Sequence, residues 1–215
     1  MPKSNCISSP NTAREARDTE TTEYDPLFDP TRTGLDDLEP VRDHFRAASR
    51  PFLSTPWSWL GWAVLLPAAA LATPTALQRF GFSGVLFTWS AVILLGGAVE
   101  ILNIRRGQQS GRSTLAVWVL RLQGNLSFVA LALSVLLVLQ DAAWALPGLW
   151  LLLLGHSFYM LGGFAFEPFR VCGLIYQIGG VAALWPGGSP LVVFAVATAI
   201  GNLWIAIGVW RQHGT

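Results

Sequence analysis

The segregation of charge constrains this chain most. Of its 27 Asp, Glu, Lys and Arg residues, 17 fall within residues 1–50 and ten in the 165 that follow. A water-soluble body of that size cannot cover its surface with so few charges, whereas a helix surrounded by lipid needs none. The sequence therefore reads as a polar tail, residues 1–50, joined to an apolar membrane body, residues 51–215. A soluble enzyme, a nucleic-acid-binding module and a disulfide-stapled secreted domain are all disfavoured.

From Trp57 onward the apolar runs have the length of membrane crossings, because roughly 20 residues rising ~1.5 Å each traverse ~30 Å of hydrocarbon. Six are predicted, at 57–76, 83–103, 117–140, 144–164, 168–186 and 190–210. Turn chemistry separates them: Gln78-Arg79 with Gly81, the polar 107–111 stretch, Asp141, Glu167-Pro168, and the Pro186 to Pro190 segment. The short connections predict an all-α fold of six transmembrane helices packed as three antiparallel hairpins. Gly61-x-Ala-x-Leu-x-Pro67 and Gly180-x-Ala-x-Leu-x-Pro186 echo one another in the first and third of these.

Arginine placement sets the expected orientation, since cytoplasmic flanks are enriched in Lys and Arg. With the N-terminus inside, Arg42, Arg46, Arg50, Arg105, Arg106, Arg112, Arg170 and Arg211 lie on cytoplasmic flanks, against Arg79 alone outside. Both termini are then cytoplasmic and the protein belongs in the cell's inner or plasma membrane. Trp57, Trp59, Trp144, Trp185 and Trp210 fall near span ends, where amphipathic indoles favour the headgroup level.

The tail has too few apolar residues over 1–34 to offset the entropy of ordering, so it is expected to be disordered and open to a protein partner. No apolar segment follows its start, so no cleaved signal peptide is expected. Leu38, Val41 and Phe45 recur at helical spacing near 38–49, suggesting a short interfacial helix. The net charge of +1 divides into −3 for the tail and +4 for the body, with no basic stripe for nucleic acid. The lone cysteines Cys6 and Cys172 are read as free thiols, and no metal or cofactor site is expected.

Polar groups within hydrocarbon are costly and are the natural candidates for function. His156, Gln177 and Asn202 fall near the middle of the fourth, fifth and sixth predicted spans, and Asn125 sits nearer the cytoplasm on the third. Small or polar neighbours share their faces, which predicts a polar centre where these helices approach closely. As a functional site it is proton-responsive or contacts a substrate, since an imidazole titrates near physiological pH; as structure it is interhelical hydrogen bonding. Glu100 and Arg121, at similar depth on consecutive spans, are a candidate intramembrane ion pair.

Gly81-Phe-Ser83-Gly84 resembles the nucleophile motif of rhomboid intramembrane proteases. The likeness implies Ser83 as nucleophile with His156 as base, but the two fall at different predicted depths, so catalysis is not expected. In hairpin spacing alone the chain resembles small six-helix bacterial membrane proteins of an acid-resistance family, without a residue motif that carries function across. The sequence thus points to a non-catalytic accessory, stress-response or interaction protein in the bilayer, with a homo-oligomer among its expected assemblies. The rival reading is a small oligomeric secondary transporter built on the His156, Gln177, Asn202 and Asn125 cluster.

Overall fold

The computed structural model describes residues 56–107, 114–164 and 166–213, with side chains over 56–102, 121–163 and 166–211. The tail, its suggested helix near 38–49 and the residue at 112 lie outside the described residues, and the arginines at 105 and 106 lie in α1 outside the described side chains. All described residues belong to one unit, residues 40–215. Among them every regular element is a helix: α1 (Pro56–Gly107), α2 (Thr114–Leu139), a single 3-10 turn (Ala143–Ala145), α3 (Leu146–Phe164), α4 (Glu167–Ala183) and α5 (Pro190–His213). Four stretches are long and apolar enough to cross a membrane: Pro56–Leu102, Arg121–Leu139, Ala143–Gly163 and Pro190–Arg211.

Five helices stand where six were expected, because the first two predicted spans are joined within α1. A 47-residue apolar stretch would run ~70 Å if straight, more than twice the hydrocarbon thickness. It is interrupted at Gly81, whose φ of 65° and ψ of −155° fall in a region that only glycine occupies without strain. Helical conformation persists through Gln78 and Arg79, the residues expected to end it, so the break is confined to one residue. The two arms, 56–80 and 82–107, lie against each other: Trp89 Nε1 donates to Thr73 Oγ1 at 3.1 Å, and Trp62 Nε1 to Glu100 Oε1 at 3.1 Å.

The Gly61 and Gly180 echo does not mark equivalent positions, since Pro67 lies inside α1 and Pro186 in the turn between α4 and α5. A different repetition is present. Thr73 Oγ1 donates to the Ala69 carbonyl and accepts from the indole sixteen residues on, Trp89. Ser134 Oγ donates to the Ala130 carbonyl and likewise accepts from Trp150, sixteen residues on. Each hydroxyl uses its own turn's carbonyl for its proton and keeps a lone pair for the facing indole, leaving neither group unsatisfied in an apolar setting.

The core lies among α3, α4, α5 and α1. On α4 the buried residues Phe169, Cys172, Gly173, Tyr176, Gly179, Gly180 and Ala183 recur every three or four positions, the period that keeps one helix face turned inward. Trp59, Phe158, Phe169 and Tyr176 interlock there, with ring centroids 5.4–6.1 Å apart between Trp59 and the two phenylalanines and 5.6 Å between Phe158 and Tyr176. Trp57 and Trp210 meet at 6.5 Å, so the start of α1 and the end of α5 lie at the same end of the body. Trp89 and Phe194, T-shaped with centroids 5.7 Å apart, join the second arm of α1 to α5.

Candidate functional site

α3 and α4 approach so closely that glycines define their seam. A Cβ at Gly173 would lie 2.4 Å from the Tyr159 backbone nitrogen, and one at Gly155 would lie 2.9 Å from both the Gly173 carbonyl oxygen and the Gln177 nitrogen. At the loop end a Cβ at Gly162 would meet the Arg170 nitrogen at 2.1 Å. There the Arg170 guanidinium hydrogen-bonds the Tyr159 hydroxyl and lies over its ring, 5.3 Å from the centroid. Close approach of this kind replaces the hydrophobic drive that lipid-embedded helices lack with backbone-to-backbone packing.

The four residues of the expected polar centre take separate places around this seam. Asn202 is buried on α5, its Nδ2 donating to the Thr198 carbonyl at 2.8 Å. His156 and Asn125 are exposed on α3 and α2, and Gln177 is half-buried at the outer edge of α4. His156 therefore does not join Asn202 in the interior. The reason is rotational: Gly148, Gly155 and Gly162 take the face of α3 that meets α4, which turns His156 one residue past the seam.

What the interior holds instead is a set of polar groups that only Asn202 had announced. Tyr176 and Cys172 on α4 and Thr198 and Asn202 on α5 are all buried. The Tyr176 hydroxyl is in hydrogen-bonding contact with the Asn202 amide and the Cys172 thiol. Thr198 Oγ1 donates to the Phe194 carbonyl at 2.8 Å. A Cβ at Gly201 would strike the Tyr176 ring at 2.4 Å and the Cys172 sulfur at 2.8 Å, so this glycine makes room for the pair. The sequence signal for these residues is the i, i+4 spacing of Cys172 with Tyr176 and Thr198 with Asn202, which puts each pair on one helix face.

Glu100 is placed differently from its expected pairing. Its Oε1 accepts from Ser58 Oγ and from Trp62 Nε1, both on the first arm of α1. Arg121 is exposed on α2, and among the described residues no ion pair joins it to Glu100. Its carboxyl group is thus held by two neutral donors rather than by a cation. A comparable polar contact ties α2 to α3, where Ser157 Oγ donates to Gln123 Oε1 at 2.6 Å.

Ser83 is exposed two residues past the Gly81 reversal, while His156 lies ten residues into α3. Among the described residues no group of three His, Cys, Asp or Glu side chains converges as a metal site would require. A groove of about 640 Å³ runs along α4 and the turn after it, lined by Gln177, Ile178, Val181, Ala182, Trp185 and Gly188. Comparison of the chain with protein-family models finds no match, and comparisons with curated proteins and with solved structures find none either.

Proposed function

We propose that this protein is a multi-pass membrane protein of the accessory or interaction kind, whose body binds other membrane helices through polar side chains on its outer surface. The observation that carries the reading is the outward placement of His156 and Asn125, with Gln177 at the edge of an open groove. A polar side chain facing hydrocarbon is unfavourable alone and becomes favourable when a neighbouring helix supplies its hydrogen bond. The buried group, Asn202 with Tyr176, Cys172 and Thr198, is spent on contacts within the body and serves packing.

In this reading the chain crosses the bilayer six times, the two arms of α1 each counting once and the 17-residue α4 being the shortest crossing. Both termini face the cytoplasm, an arrangement supported by the Trp57 and Trp210 contact at one end and by the arginine bias of the flanks. The 1–50 tail is then available to a cytoplasmic partner. Asp141, in the turn between α2 and α3, sits at the opposite end. A cysteine at Asp141 is expected to react with a membrane-impermeant maleimide in intact cells; labelling only after lysis would reverse the orientation.

The competing transporter reading makes a separate prediction. Purified protein in sealed liposomes is expected to carry no proton or counter-ion flux above protein-free vesicles, and His156→Gln and Asn202→Leu are expected to change nothing. A flux lost in either variant while the protein stays folded would establish transport through the polar residues and overturn the accessory reading.

A further inference from the structure

The outer side of the seam between α3 and α4 combines features that single it out on the surface. Phe158 and Tyr176, 5.6 Å apart, mark the core side of that seam. His156 and Gln177 lie on the opposite side: His156 is exposed and follows Gly155, which itself packs against the Gln177 backbone nitrogen. His156 is eight residues from the loop end of α3 and Gln177 ten residues from the loop end of α4, so the two lie at nearly the same depth. Next to Gln177 runs the groove lined by the exposed Ile178, Val181 and Trp185.

We propose that this face docks a second copy of the chain, with His156 of each copy beside Gln177 of the other. The inference rests on the membrane reading above and deepens it by naming the partner. A closed dimer that uses the same face on both copies, inserted with the same orientation, has a two-fold axis along the membrane normal, which preserves depth. A residue on that interface meets only groups at its own level, and at the level of His156 the face offers Gln177. The chemistry is self-complementary: a neutral imidazole has one donor and one acceptor, and an amide has both, so two copies satisfy both pairs reciprocally. Leu153 and Leu149, one and two turns back along α3, stand at the depth of the groove and supply the apolar side chains that fill it.

The test uses the full chain with Cys6→Ser, Cys172 being buried. Met160→Cys, one turn from His156 and exposed, is expected to give a dimer-sized band on oxidation in native membranes, while Ile93→Cys on the exposed flank of α1 is not. In liposomes, with association followed by energy transfer between labelled copies as protein is diluted into lipid, His156→Leu is expected to lower the association constant about tenfold, as two lost interhelical hydrogen bonds of ordinary strength predict. His156→Gln, which keeps a donor and an acceptor, is expected to restore most of it. A monomer at every dilution, a cross-link at Ile93→Cys in place of Met160→Cys, or a dimer indifferent to His156→Leu overturns the proposal. Extraction of the membranes at alkaline pH separates the two readings: release of the chain sinks membrane integration itself, whereas an integrated monomer sinks only the dimer.

Discussion

Gly173→Leu is expected to leave little folded protein after detergent extraction, whereas Gly124→Leu is expected to leave yield and unfolding midpoint unchanged. Gly173 sits where the backbones of α3 and α4 touch, and its added Cβ would lie 2.4 Å from the Tyr159 nitrogen and 2.7 Å from the Gly155 carbonyl oxygen. These are backbone atoms, so no side-chain rotation relieves the clash and the helices must separate. Overpacking a well-packed site costs ~1–3 kcal/mol when side chains can adjust, and more when the backbone must move. Set against a total stability of ~5–15 kcal/mol for a typical protein, a cost above ~3 kcal/mol removes a large part of the margin that keeps the leucine variant folded. Gly124 is exposed on α2 and a Cβ there meets nothing within 4 Å. Titration of micellar protein with a denaturing detergent, read by tryptophan fluorescence, compares the two. Equal midpoints for Gly173→Leu and the parent would show that the seam is not held by glycine contact.

Tyr176→Ala is expected to lower the unfolding free energy by ~3–5 kcal/mol, the range for emptying a fully buried aromatic site. Tyr176 is 1 % exposed, meets the Phe158 ring at a tilt and fills the space left by Gly201, so truncation opens a cavity shared by α3, α4 and α5. Tyr176→Phe keeps the ring and removes the hydroxyl that touches Asn202 and Cys172. Its expected cost is only ~0.6 kcal/mol, the average for an interhelical hydrogen bond within a membrane protein. The same detergent titration measures both variants, and the contrast between them separates packing from hydrogen bonding. A phenylalanine variant as damaged as the alanine one would make the polar cluster, and not the ring, the stabilising element.

These two effects depend on rotations of helices about their own axes, which the chain states only faintly. A surface helix of a soluble protein announces its inner face by an apolar stripe, but a helix apolar on all sides carries no such stripe. α3 reads Leu-Pro-Gly-Leu-Trp-Leu-Leu-Leu-Leu-Gly before His156, and its leucines do not tell core from lipid; Gly148 and Gly155, seven apart, lie on the face that meets α4. Helical spacing puts His156 on one face with Tyr159 and Gly163, whereas the seam runs through Gly148, Gly155, Tyr159 and Gly162 and leaves His156 outside it. Asn202 is legible as an inward residue because Ala195, Ala199 and Ala206 share its face; Ala195 and Ala206 are buried with it and Ala199 is half-buried. Its partners Tyr176 and Cys172 come from another helix, and no local pattern links them.

Composition by itself determined that the body is helical and apolar enough to cross a membrane, because lipid imposes length and hydropathy on any segment that spans it. Turn residues also told where the chain bends, with Gly81, Asp141 and Gly187 all adopting positive φ at or beside the expected breaks. Only the tertiary structure decided that Gly81 alone suffices to divide α1, that Glu100 rests on Ser58 and Trp62, and that Asn202 belongs with Tyr176. Span length and turn position are properties of a segment and its solvent. The orientation of a side chain among lipid-facing helices is set by steric contact between segments far apart in the chain, here by glycines that admit a neighbouring backbone.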